Sequence, residues 1–274
     1  MAYRSDNPNY LLIGLGGTGG KILKEFKKRL FLEHSDDTER AKLKPAVTFL
    51  YVDSTNEMMN ENRKDPSWRV MGKDATFTQS EFLPIKSDVN GISQILDNIE
   101  NYPGLRHIVK NGNAMRTTLG EIGAAAGQKR RAGRIMFASN CARFLDAVRG
   151  KYSELQQKTK MDTLHVYVFT GLAGGTGSGS IIDVVAQLRK TYKDAEIDVY
   201  AMVPELNIPP GYNVGRYHQN GYAALRELSA LNIPGGYRPS DVMTGDEHIA
   251  FETEDQLKQF GLVLFSDVNE NGVK

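Results

Sequence analysis

The chain has 274 residues, 40% hydrophobic and 24% charged, with a formal net charge of +1. This is the balance of a globular protein long enough for one large domain or two small ones, and it carries no global field pointing to nucleic acid or membrane. No apolar run approaches the ~18–20 residues of a membrane span, MAYRSDNPNY lacks the apolar core of a leader peptide, and the one cysteine, Cys141, excludes an internal disulfide and a multi-cysteine zinc site and fits a reducing cytoplasm.

YLLIG (10–14) is short and apolar and reads as a buried strand. GLGGTGG (14–20) follows, and KILKEFKKRLFL then puts Ile22, Leu23, Phe26 and Leu30 on one helical face with lysines opposite. AVTFLYVDS (46–54) is the next strand, with Asp53 at its carboxyl end. Residues 56–90 are polar and irregular; VNGISQILDNI (89–99) predicts a short helix, and GEIGAAAGQKRRAG (120–133) a loop of small and basic residues. A single helix is expected over 134–157, with Ile135, Phe144, Leu145 and Val148 toward the core. A strand over 163–169 runs into FTGLAGGTGSGS (169–180) and a helix to about Tyr192. EIDVYAMVP (196–204) is a strand, 207–215 a Pro/Gly loop, 216–231 a helix with Leu225, Leu228 and Leu231 on one face, 232–247 a surface excursion, and FGLVLFSD (260–267) a last strand. Strand and helix alternate, which predicts an α/β fold with a largely parallel sheet. In such sheets ligands bind beyond the carboxyl ends of the strands, where both glycine loops and Asp53 fall.

A strand feeding a glycine turn and then a helix offers free N–H groups and a partial positive charge to an anion. GLGGTGG alone also suits a dinucleotide-binding turn, an adenylate-forming enzyme or a plain tight turn. GLAGGTGSG adds a longer run of amides with the hydroxyls of Thr176 and Ser178, and neither loop ends in the Gly-Lys-Ser/Thr of a Walker P-loop. Two loops of different pattern point to one polyphosphate held from two sides. The five histidines show no metal-ligand spacing, and no Ser/His/Asp or Cys/His arrangement suggests covalent catalysis.

GLAGGTGSG (171–179) resembles the signature loop GGGTG[ST]G of tubulins and FtsZ, with Ala173 where a glycine is usual. YLLIGLGGTGGKIL, YVDST (51–55), GAAAGQKRRAGR (123–134) and GRYHQNGYAALREL (215–228) are similar to further segments of that superfamily, in the same order along the chain. The divergence suggests a prokaryotic or phage tubulin-like protein. The resemblance implies a Rossmann-like three-layer α/β sandwich of the tubulin/FtsZ GTPase-domain type that binds GTP or GDP with magnesium. By the same similarity, Gly16, Gly17 and Thr18 line the phosphates from the first loop, and Ala173, Gly174, Gly175, Thr176 and Gly177 from the second. Asp53 faces magnesium or the terminal phosphate. Ala125, Ala126 and Gly127 approach that phosphate, with Gln128, Arg131 and Arg134 nearby. Asn220 reads the guanine edge, Arg216 lies near the nucleotide, and Asn269 opens the family's central helix.

Tubulins and FtsZ hydrolyse GTP where one subunit's acidic loop meets the nucleotide of the next, and no copy of that loop is found in this chain. The resemblance therefore implies residues 1–274 as one nucleotide-binding domain ending near the start of the central helix, with 232–260 as an insertion within it. The larger protein is expected in the cytoplasm, assembling head to tail into filaments, with guanine nucleotide as its ligand and neither nucleic acid nor a membrane span implied. A non-polymerising nucleotide-gated scaffold, or a dinucleotide- or ATP-dependent enzyme, are the alternatives.

Overall fold

In the computed structural model, residues 9–34, 36–38, 46–61, 66–86, 89–101, 105, 109, 127–208, 215–232, 242–244, 247–249 and 260–266 are described. β1 (Asn9–Leu15) leads directly into α1 (Gly16–Glu33). β2 (Val47–Asp53) is followed by the short α2 (Glu57–Glu61), a two-stranded antiparallel pair β3 (Arg69–Val70) and β4 (Lys73–Asp74), and β5 (Phe82–Pro84). Among the described residues the next α-helices are α3 (Val89–Asp97), α4 (Arg130–Ser139) and α5 (Cys141–Thr159). Then follow β6 (Leu164–Gly171), α6 (Thr176–Thr191), β7 (Glu196–Met202) and α7 (Tyr217–Asn232). A small antiparallel pair, β8 (Val242–Thr244) and β9 (Glu247–Ile249), precedes β10 (Gly261–Phe265).

Six strands pair in parallel in the order β10-β7-β6-β1-β2-β5. Numbered along the chain within this sheet, that order is 3-2-1-4-5-6 read from the β5 edge, the doubly wound arrangement of a Rossmann-like fold. The direction of winding reverses between β1 and β6, so the connections leaving those two strands diverge and open a crevice at their carboxyl ends.

The sheet is covered on both faces, and the alternation of side chains along each strand separates two cores. Leu11, Ile13 and Leu15 of β1, with Leu50, Val52, Val166 and Val168, face Phe144 and Val148 of α5 and Ile181 and Val185 of α6. On the other face Leu12, Phe49 and Tyr51 pack with Leu23 of α1, Trp68 and Phe77. Each such fully buried aliphatic side chain contributes about 1.5–3 kcal/mol. α4 and α7 pack on α6, giving helix, sheet and helix layers.

Three expectations change. Phe26 is 43% exposed, whereas Lys27, expected on the solvent side, is buried. Its ammonium donates to Glu81 (2.6 Å) and the Thr76 carbonyl (2.8 Å), and it lies over the rings of Phe49 and Phe77. The polar stretch 56–90 holds a strand of the main sheet, β5, paired with β2. The helix expected over 134–157 starts earlier and is broken at Asn140. Its side chain donates to the Met136 and Ile85 carbonyls while its own carbonyl accepts from Phe144 N–H, closing α4 and opening α5. The surface excursion at 232–247 includes β8, and the rest of the proposed insertion lies mostly outside the described residues.

Candidate nucleotide site

Both glycine loops leave the switch-point strands. β1 turns into α1 at Gly16, whose φ of +67° is the left-handed region that glycine reaches at no steric cost. A Cβ at Gly16 would lie 3.1 Å from Gly177 N, so the first turn of α1 and that of α6 touch there. A Cβ at Gly171 would stand 2.5 Å from Thr18 Oγ1, and one at Gly177 would stand 2.5 Å from Thr170 Oγ1. These two glycines let the loops close on each other. Gly17 and Gly174 differ: an added Cβ meets nothing within 4 Å at either.

The second loop has its carbonyls tied back. Ala173 O accepts from Asn220 Nδ2 at 2.9 Å, Gly174 O from Ser178 Oγ, Gly175 O from Gly179 N at 3.0 Å, and Thr176 O from Ser180 Oγ at 2.8 Å. A trans peptide is planar, with C=O and the following N–H on opposite sides. Holding these carbonyls toward α6 and α7 leaves the N–H groups of Gly174, Gly175, Thr176 and Gly177 on the opposite side of their peptides. The first N–H groups of a helix have no partner within it, and neither α1 nor α6 has a side-chain cap at its N-terminus. This geometry can hold an anion. It also revises the expectation for Ser178: its hydroxyl is spent on the Gly174 carbonyl and braces the loop from behind.

Asp53 ends β2 beside this loop and is 5% exposed. Tyr51 OH donates to its Oδ2 at 2.5 Å and Ser54 N–H to its Oδ1 at 2.6 Å. Ser54 Oγ lies 2.8 Å from Thr176 Oγ1, joining the strand end to the glycine loop. Burial pushes the Asp53 carboxyl above its ordinary value, against the hydrogen bonds from Tyr51, Ser54 and Thr176. One carboxylate with two hydroxyl oxygens fits a magnesium ion held mainly by phosphate oxygens and water. Among the described residues no cluster of three or more His, Cys, Asp or Glu side chains forms a metal site of the protein's own.

The described end of the third loop lies beside α7. Gly127 is exposed with φ +53°, and the next carbonyl, Gln128 O, accepts the second proton of Asn220 Nδ2 at 2.9 Å. Ala125, Ala126 and Asn269 lie outside the described residues. Arg216 is exposed one helical turn before Asn220, and its carbonyl accepts the Asn220 N–H. Of the basic residues nearby, Arg131 is exposed and Arg134 turns away, forming a two-bond pair with Asp183 (2.9 Å each).

The sequence reading missed three contributors. Tyr51 sits two residues before Asp53, on the same strand face, and that spacing could have flagged it. Ser54 was visible in YVDST but not its reach to Thr176. Arg130 donates to the Ser178 carbonyl (3.0 Å) and to Glu227 of α7, and nothing in QKRRAG separates it from its basic neighbours.

The structure is similar to that of CetZ from Methanosaeta thermophila strain DSM 6194, with a TM-score of 0.52 and 17% identity over 94% of this chain and 46% of that one. A weaker likeness, TM-score 0.43 at 17% identity over 80% and 47% of the two chains, is to CetZ1 from Haloferax volcanii, described as a GDP bound monomer. The chain thus spans about half the length of these solved structures, and at such identity the likeness to the first speaks to the fold alone. No curated protein matches the sequence. The family model described as "Tubulin like" matches residues 11–261, which covers both glycine loops, Asp53 and α7. The chain belongs to the tubulin-like family.

Proposed function

We propose that this domain binds a guanine nucleotide, GTP or GDP, with its phosphates between the first turns of α1 and α6. The observation that carries the reading is the pair of uncapped helix starts meeting at the switch point, with the carbonyls of Ala173–Thr176 tied back. In this reading Gly16, Gly17 and Thr18 approach from one side, and Ala173, Gly174, Gly175, Thr176 and Gly177 from the other. Gly127, with Ala125 and Ala126, faces the terminal phosphate. Arg216 and Asn269 lie toward the sugar and base, and guanine rests on the family resemblance. Asp53, with Ser54 and Thr176, would hold magnesium, which when bound neutralises charge between phosphate oxygens.

Within a larger protein the domain would assemble head to tail, and hydrolysis would be completed by an acidic loop of the next subunit. Phosphoryl transfer needs positioning and charge stabilisation; the residues described here supply the cradle. Dilute protein is therefore expected to bind nucleotide while turning it over very slowly.

The strand order is shared with dinucleotide-binding folds, which favours NAD as the second reading. Calorimetric titration with GDP, ADP and NAD in the presence of magnesium separates them. The proposal expects one equivalent of GDP bound; binding of NAD without GDP would overturn it.

A further inference from the structure

We propose that Asn220 is a positioning residue of the phosphate cradle, setting the distance between the second and third loops without touching the base. The inference rests on the nucleotide reading of the site. The Asn220 side chain is 7% exposed, and its two contacts, Ala173 O and Gln128 O, are both carbonyl oxygens at 2.9 Å. Only the NH₂ end of the amide can face both, because a turned-over amide would set its own oxygen against two acceptors. Both amide protons are thereby used, one on each loop.

The contact to Ala173 decides the site's geometry. Fixing that carbonyl toward α7 is what turns the Gly174 N–H to the opposite side. Gly174 is an open glycine of the loop, where an added Cβ meets nothing within 4 Å. The contact to Gln128 fastens the end of the third loop to the same point, one residue beyond Gly127. α7 itself is held by Ala224 and Leu228 in the core and by the pairing of Glu227 with Arg130, which also grips the Ser178 carbonyl. Asn220 therefore joins both loops to a helix whose own place is fixed in the core by Ala224 and Leu228.

The test is displacement of a fluorescent GDP analogue by GDP, ADP and inorganic pyrophosphate, for the unsubstituted protein, Asn220→Ala and Asn220→Asp, with thermal melting of each to confirm folding. A positioning residue predicts that Asn220→Ala weakens all three competitors by about tenfold or more, the equivalent of one charge-assisted hydrogen bond. The ratio of GDP to ADP affinity stays unchanged. Asn220→Asp, nearly the same shape but with acceptors facing two carbonyls, weakens all three further. If Asn220 instead reads the base, Asn220→Asp keeps the preference for guanine, whose edge donates, and Asn220→Ala loses GDP affinity while pyrophosphate is unaffected; either result overturns the inference. Should a variant melt below the assay temperature, Asn220→Ser, which keeps one donor, is expected to bind all three at intermediate strength, and a selective loss of GDP there refutes the proposal equally. No binding by the unsubstituted protein sinks the nucleotide reading itself; a changed GDP-to-ADP ratio in the variants sinks only the positioning role.

Discussion

Gly17→Ala separates a glycine kept for a ligand from one kept for packing. Gly17 lies in the first turn of α1, without a positive φ, and an added Cβ meets nothing within 4 Å; Gly174 is equally open. Folding alone then favours the methyl group, by about 0.5–1 kcal/mol through the smaller entropy of the unfolded chain. For a domain of this size that is a rise of about 1–4 °C in melting temperature. Binding is expected to move the other way. The methyl stands where phosphate oxygens approach the loop amides, and losing one charge-assisted hydrogen bond costs about 1.5–3 kcal/mol. That is about ten- to a hundredfold in Kd. Scanning calorimetry of the free protein gives the first quantity and titration with GDP and magnesium the second. Gly171→Ala and Gly177→Ala serve as the contrast: their methyls would lie 2.5 Å from Thr18 Oγ1 and Thr170 Oγ1, so both should melt lower whether or not ligand is present. If Gly17→Ala and Gly174→Ala both melt higher yet bind GDP as tightly as the unsubstituted protein, the cradle is not where the ligand sits.

Asp53→Asn should stabilise the free protein at pH 7. Burial raises the Asp53 carboxyl above its ordinary value of 3.8, so its contribution to stability is fully present below 3.8 and is lost as pH rises through the folded value. The gain in melting temperature from the neutral amide should therefore shrink as pH falls toward 3.8, while the effect of magnesium on GDP affinity weakens; a variant less stable at pH 7 than at low pH, relative to the parent, contradicts this. Arg134→Met leaves Asp183, whose side chain is 3% exposed, without its partner, and should cost about 3–5 kcal/mol in urea unfolding. Arg134→Met with Asp183→Leu should recover most of that loss; no recovery would show that the role of Arg134 is not to compensate the buried Asp183 carboxyl.

Much of the fold was legible because β1, buried along most of its length, and β6, buried at alternate residues, read as short apolar runs ahead of the glycine loops. The alternation of these runs with helical patterns gave the parallel α/β class, and the turn chemistry placed both loops at strand ends. The strand order was not legible, since it depends on which strands pair across long connections, and β5 contributes only Phe82, Leu83 and Pro84. Lys27 misled for a different reason. Helical periodicity assigns a lysine to water, but here Glu81 and the Thr76 carbonyl, more than 45 residues away in sequence, compensate its burial. Asn140 broke an apparently continuous helix through hydrogen bonds that include the distant Ile85 carbonyl. At the site, residue types and spacing put both glycine loops and Asp53 at strand ends, while the roles proposed for Gly16–Thr18 and 173–177 come from the family resemblance. Types and spacing could not show that the Asn220 and Ser178 side chains reach backward to loop carbonyls, which is a matter of side-chain direction in three dimensions.

The central claim is that one polyphosphate is held by both helix starts at once. Amide hydrogen exchange across residues 15–20 and 173–179, with and without GDP and magnesium, tests it most directly. The account predicts that the nucleotide slows exchange in both segments together, at a common ligand concentration, and leaves the β10 edge of the sheet unchanged. Protection of only one segment, or of neither while GDP is bound, would contradict it.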